Sequence, residues 1–151
     1  MLGVKYDRFT HTSDHFDILL DYCKQLIEKG VAYCDDTEPE LMKQQREQRH
    51  ESVNRNNSVE KNLKLWSDMI AGNEQGQKCC VRLKINMNAN NGCMRDPTIY
   101  RCKPEEHVRT GNKYKYEIEI IHSINRSSCF SQGSIQPMIL LVQLSIVSKE
   151  V

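Results

Sequence analysis

Aromatic residues are scarce in this 151-residue chain, 7% of the total with a single tryptophan, so its core is expected to be thin and its stability marginal. Long apolar runs are missing too. Nowhere do 18 consecutive apolar residues occur, and residues 1–9 lack the apolar stretch of a secretory leader. Neither a membrane span nor export is expected, and the chain reads as intracellular. The formal net charge is only +1, and 38% hydrophobic with 27% charged residues describes one ordinary globular domain rather than two. A C-x-x-C pair is absent: the seven cysteines are odd in number and include the adjacent Cys79 and Cys80. They make a poor disulfide framework and read as thiols. Cys79, Cys80, Cys93, Cys102 and His107 share one segment, yet adjacent strand residues point to opposite faces and the spacing does not suit zinc, so no metal site is expected. No residue spacing sets His50 or His107 beside a thiol as a base. A glycine-rich phosphate loop is also lacking, because Gly72 and Gly76 do not lie between a strand and a helix opening with Lys-Ser or Lys-Thr.

What is present is organised. Over residues 12–29, Phe16, Leu19, Leu20, Cys23, Leu26 and Ile27 recur every three or four residues, after the possible caps Thr12 and Ser13 and before Gly30. This is an amphipathic helix. Residues 31–34 are apolar but too few for a helix. Thr37 is expected to cap a second helix over 39–50 with Pro39 in its first turn, polar nearly all round. Residues 54–57 read as a loop, and Ser58 as the cap of a third helix whose apolar face is Val59, Leu63, Trp66, Met69 and Ile70. After Gly76 the period becomes two: Val81, Leu83, Ile85 and Met87 alternate with Arg82, Lys84 and Asn86, a half-buried strand with a basic outer face. Residues 98–103 form its partner. Helices followed by antiparallel strands predict an α+β arrangement.

Basic side chains gather in two places. Arg46, Arg49 and Arg55 lie on or after the second helix, and Arg82, Lys84, Arg95, Arg101, Lys103, Arg109 and Lys113 on the strand pair and its loops. Such a face suits contact with a phosphate backbone, each cation adding a salt-sensitive increment. Composition alone weighs this evenly against a merely solvated surface.

The strings HTSDHF (residues 11–16), LIEKGVAYCDDT (26–37), KNLKLW (61–66), CCVRLKI (79–85), NNGCMRDPTIYRCK (90–103) and RTGNKY (109–114) occur in one order and spacing. Together they resemble the glutamyl-tRNA synthetases of eukaryotic and archaeal type, class I enzymes related to the glutaminyl-tRNA synthetases, and above all the glutamyl half of the animal bifunctional glutamyl-prolyl enzymes. The resemblance implies an α+β fragment of a class I nucleotide-binding fold. Residues 1–36 would end the first half of that fold, and residues 37–115 would form the inserted domain that grips the tRNA acceptor stem. With the basic face, it points to Arg46, Arg49, Arg82, Lys84, Arg101 and Arg109 as tRNA-binding residues, with no catalytic residue and no metal ligand. The function implied is ATP-dependent attachment of glutamate to tRNA. The alternatives are a stand-alone, non-catalytic tRNA-binding module or a glutaminyl-tRNA synthetase fragment.

The family's His-Ile-Gly-His-type and Lys-Met-Ser-Lys-type motifs, and the arginine that holds the substrate carboxylate, have no counterpart in these residues. ATP and Mg2+ are therefore cofactors of the full-length family, none is expected for this chain, and the chain alone is expected to be inactive. The partners implied are the tRNA acceptor stem and, in the full-length family, a multi-synthetase complex, in the cytoplasm and without a membrane. Residues 116–151 look foreign. Where the family continues VYPTYDFACPIVDSIEG, one consistent codon choice for residues 133–150, read from the third base of the Gly133 codon, spells that string. The tail is thus read as an insertion followed by a frame-shifted stretch, non-homologous and poorly ordered.

Overall fold

The computed structural model describes residues 11–102, 105–111, 113 and 116–117. A 3-10 turn at Thr12–His15 leads into helix α1, Phe16–Glu28, and then strand β1, Ala32–Asp35. Helices α2, Pro39–Gln48, and α3, Val59–Ala71, flank a 3-10 turn at Val53–Asn56, and the short helix α4, Glu74–Lys78, precedes strand β2, Cys80–Leu83. Strand β3, Thr98–Cys102, and the two-residue β4, Tyr116–Glu117, complete a four-stranded antiparallel sheet in the order β1-β2-β3-β4.

The helices form where apolar spacing, a cap or both mark them. Helix α1 buries Phe16, Leu19, Cys23 and Ile27 and stops before Gly30, whose φ of +69° few side chains tolerate. Its entry differs from the expected Thr12 or Ser13 cap, since Asp14 accepts from the His11 backbone N–H at 2.8 Å. Helix α2 is capped by the Glu38 carboxylate, which accepts from Glu40 and Leu41 N–H, and not by Thr37. Ser58 caps α3 as expected, and Gly72 closes it at φ +67°.

Register decides the two faces of the sheet. Ala32 faces Leu83, Tyr33 faces Arg82, Cys34 faces Val81 and Asp35 faces Cys80. Alternation then places Ala32, Cys34, Val81 and Leu83 on one face and Tyr33, Asp35, Cys80 and Arg82 on the other. The first face meets α1 and α3 in the core, where Trp66 stands edge-on to Tyr100 with ring centroids 4.7 Å apart. Helix α3 also covers the outer edge of β1: Asn62 Oδ1 accepts from Cys34 N–H at 3.1 Å, and the Cys34 thiol donates to Asn62 O.

Three expectations are corrected. The strand after Gly76 is shorter than its pattern, Cys80–Leu83, with Ile85 and Met87 in the following loop. Its polar face is not solvent-facing, since every residue of β2 is buried. The run too short for a helix is β1, so the sheet has four strands where a pair was read. Tyr116 and Glu117, read as the start of the tail, pair with Cys102 and Arg101. Residues 118–151, which carry the rest of the tail reading, lie outside the described residues, as do residues 1–10. Among the described residues, no helix is long and apolar enough to cross a membrane.

Candidate nucleic-acid interface

Beneath the second face of the sheet lies a buried charge network. Arg82 and Asp35, both 0% exposed, pair at 2.7 Å, and Arg82 Nε donates to the Asp96 carbonyl at 2.9 Å. The other Asp35 oxygen accepts from the Thr37 N–H and hydroxyl, the Ser52 hydroxyl and the Asn54 amide. Asp96, also fully buried, accepts from Arg55 Nε at 2.7 Å, the Tyr33 hydroxyl at 3.2 Å and the Ile85 N–H at 2.9 Å. Buried charges survive only when paired and saturated with donors, and these are. Arg82 is therefore withdrawn as an RNA contact, because its guanidinium is turned into the protein.

The same network sets an acid limit. Burial pushes the Asp35 carboxyl up, but hydrogen bonds from Thr37, Asn54 and Arg82 outweigh it and hold the group below the usual carboxylate range. A carboxyl lowered on folding stabilises fully above its unfolded value of about 4 and loses that stabilisation as pH falls through its lower folded value. Urea midpoints are expected to drop as pH falls below about 4, with a shallower drop in Asp35→Asn. An equal drop in both proteins would contradict the assignment.

Above this network the loop 84–97 meets the C-terminal turn of α2. Arg46 donates to the Gly92 carbonyl at 2.9 Å and the Arg95 carbonyl at 3.1 Å. Arg95 returns the contact, donating to the carbonyls of Arg46 at 3.1 Å, Ala89 at 2.7 Å and Asn90 at 3.0 Å. Arg49, the left-handed C-cap of α2, is exposed and donates to Asn90 Oδ1 at 3.2 Å. A guanidinium on the terminal carbonyls of a helix completes its orphan acceptors and suits its dipole. Burial and the neighbouring Arg82 guanidinium lower Arg46, with Arg95 adding to this, so like charges are crowded here. Among the described residues, Arg46, Arg49 and Arg95 form no ion pair with a carboxylate, while Arg82 is balanced by Asp35 and Arg55 by Asp96.

The other expected contacts are dispersed. Lys84 follows β2, its N–H bonded to the Val31 carbonyl, and its side chain is half-buried. Arg101 sits on β3 between Cys80 and Glu117. Arg109 lies in the turn closed by His107 and Gly111 and pairs with Asp14 at 3.1 Å. The structure thus gathers Arg46 and Arg49 and adds Arg95 to them. Arg95 and Asp96 were visible in the string MRDP, but nothing in that string tells which side chain turns under the sheet and which toward α2.

Other chemistry finds little footing. Burial pushes the thiols of Cys79 and Cys80 up to about 11 and that of Cys34 up to about 12, so they stay protonated near neutrality and are poor nucleophiles or ligands. Among the described residues no three His, Cys, Asp or Glu side chains converge as a metal set. Nor do the described residues suit the triphosphate of ATP. Gly30 and Gly72 end helices instead of opening them, and Gly76 is pressed against the Asp68 backbone.

Comparison with known proteins gives one consistent answer. Residues 1–117 match the family model described as tRNA synthetases class I (E and Q), catalytic domain. The chain is similar to the bifunctional glutamate/proline–tRNA ligase of Drosophila melanogaster, 66% identical over 114 residues, which are 76% of this chain and 7% of that protein. The mouse counterpart is 60% identical over 76% of this chain and 8% of its own length. The cytoplasmic glutamate–tRNA ligase of Arabidopsis thaliana is 53% identical over 76% of this chain and 16% of its own length. The chain thus spans a small part of each of these relatives.

Proposed function

Because the chain belongs to the family of class I tRNA synthetases for glutamate and glutamine, we propose that it is a tRNA-holding part of a glutamate–tRNA ligase, with residues 37–115 set against the acceptor stem. The observation that carries this reading is the cluster of Arg46, Arg49 and Arg95, which among the described residues form no ion pair with a carboxylate, with Arg49 and the Asn90 amide exposed at its edge. Phosphates supply the missing charge and accept from both guanidinium and amide donors. Arg49 leads the proposed contacts, with Lys84, Arg101 and Arg109 extending them over the strands and the far turn. Glutamate is preferred to glutamine because the relatives above are glutamate–tRNA ligases by name. The acceptor-stem unit draws its first strand, β1, from the segment before residue 37. The same reading places the protein in the cytoplasm and, by the bifunctional relatives, in an assembly with other synthetases.

ATP with Mg2+ drives the full-length reaction, but the described residues do not suit it, and no step is assigned to them. The 151-residue chain is expected to bind tRNA with log affinity falling by about 0.9 per contacted phosphate for each log unit of salt. It is expected to show no glutamate-dependent exchange of pyrophosphate into ATP. Charge reversal at Arg46 and Arg49 should weaken binding. A flat salt response would mean a merely solvated surface, and exchange above a blank would overturn the expected inactivity.

A further inference from the structure

We propose that the loop 84–97 is a phosphate-contacting edge in which Arg49 and Asn90 touch the RNA, and that Arg95 is a positioning residue that holds this edge without touching it. The proposal rests on the tRNA reading above and adds residues to it.

The geometry of Arg95 carries the argument. Its guanidinium binds Ala89 and Asn90 of its own loop and Arg46 of α2, three carbonyls on two separate segments. Nε and both terminal nitrogens are therefore engaged, leaving little of the fork for a phosphate. Arg46 closes the joint from the other side through the carbonyls of Gly92 and Arg95. The product of these contacts is the placement of Asn90, whose backbone is held by Arg95 while its side-chain oxygen receives Arg49. Arg49 is exposed and makes that one hydrogen bond through Nη2, so other donors on its fork are open to an anion. The Asn90 amide nitrogen lies beside them, on the same exposed side chain.

The next residue explains why the half-buried Arg95 faces α2. Asp96 has φ +42°, a left-handed conformation unusual for a residue with a side chain and disfavoured before a proline such as Pro97. Such strain persists only where the surroundings over-determine it, and it concentrates at functional positions. Here the surroundings are Arg55, Tyr33 and the Ile85 N–H, which hold the Asp96 carboxylate inside. With Asp96 fixed inward, the chain presents Arg95 to α2. The two residues form one joint, anchored in the sheet and ending at the RNA-facing edge.

A charge contact and a positioning fork respond differently to lysine. Lysine keeps the charge, and a phosphate accepts it as a point charge, but it cannot bridge three carbonyls in a plane. The test is binding of unfractionated tRNA to the full chain, from 50 to 200 mM salt, at temperatures where each variant is folded. Arg49→Lys should retain most of the affinity and Arg49→Gln should lose several-fold. Arg95→Lys and Arg95→Met should both lose several-fold, no more than Arg49→Gln. In the Arg49→Gln background Arg95→Met should add little, because it acts through Arg49. A purely structural role would lower the melting temperature without this coupling. If Arg95→Lys binds like the unaltered chain, or if the Arg49 and Arg95 losses simply add, the positioning role is overturned. Should Arg95→Met fail to fold, Arg95→Lys and its combination with Arg49→Gln decide alone. Failure of the unaltered chain to bind tRNA would overturn the tRNA reading itself, an outcome distinct from binding that ignores Arg95.

Discussion

Arg82→Met is expected to cost about 3–5 kcal/mol of stability, enough to leave a marginal domain largely unfolded at 37 °C. The side chain removed is one partner of a fully buried ion pair, and it also donates to the Asp96 carbonyl. Asp35 keeps its donors from Thr37, Ser52 and Asn54 but becomes an uncompensated interior charge. Methionine returns some apolar burial beside Met87, which Arg82 already approaches through Nη2. That gain is at most about 1.5–3 kcal/mol for a whole side chain, and the pocket is shaped for a guanidinium, so the charge penalty wins. Combining Arg82→Met with Asp35→Asn should recover part of the loss, since the amide stays polar towards Thr37 and Ser52 while the charge disappears. Urea unfolding of the unaltered chain and the two variants measures both effects. An Arg82→Met protein within about 1 kcal/mol of the unaltered one would show that this buried network does not hold the domain together.

Arg82 also marks where sequence reading succeeds and stops. Period two around Val81 and Leu83 correctly placed Arg82 on the opposite face. The period says nothing about whether that face meets water. Here it is roofed by the Val53–Asn56 turn and the loop 84–97, whose polar side chains carry no hydrophobic signal. A roof of Asp, Asn, Ser and Arg resembles a solvated surface until its partners are known. Helices α1 and α3 were legible because apolar spacing and a terminal glycine coincide within each segment, joined in α3 by the Ser58 cap. Thr37 misled for the reverse reason. It is a good cap by type, but its hydroxyl is taken by Asp35, and Glu38 caps α2 instead.

The candidate site divides in the same way. That Arg46 and Arg49 lie near each other follows from helical spacing. That Arg46 reaches the carbonyl of Arg95, 49 positions away, follows only from the fold. Residue type could place cations on a surface, but it could not separate those that are held from those that hold. The MRDP string was informative as a resemblance, while its physical meaning, an Asp96 turned into the sheet beside an Arg95 turned to α2, depends on a positive φ that sequence does not display.

Gly76→Ala should be the most damaging single-methyl change among the glycines described, by about 3 kcal/mol or more. On propensity alone the sign would be opposite, because alanine favours a helix over glycine by about 1 kcal/mol and Gly76 lies inside α4. Packing reverses it. A Cβ on Gly76 would overlap the carbonyl of Asp68 and the backbone nitrogen of Met69, closer than real Cβ atoms approach, and backbone cannot swing aside as a flexible side chain does. The contact is locked from both ends: Asn73 accepts from the Gly76 N–H at 2.8 Å and donates to Asp68 at 2.8 Å, so α4 cannot drift from α3 without losing its cap. Gly30→Ala provides the contrast. Its Cβ would enter open space at φ +69°, so it should cost only the left-handed strain, about 1 kcal/mol. In thermal melts the Gly76 variant should fall by more than about 10 °C and the Gly30 variant by about 4–8 °C. Equal losses, or a Gly76→Ala protein as stable as the unaltered chain, would mean that α4 does not sit against the last turn of α3 as described.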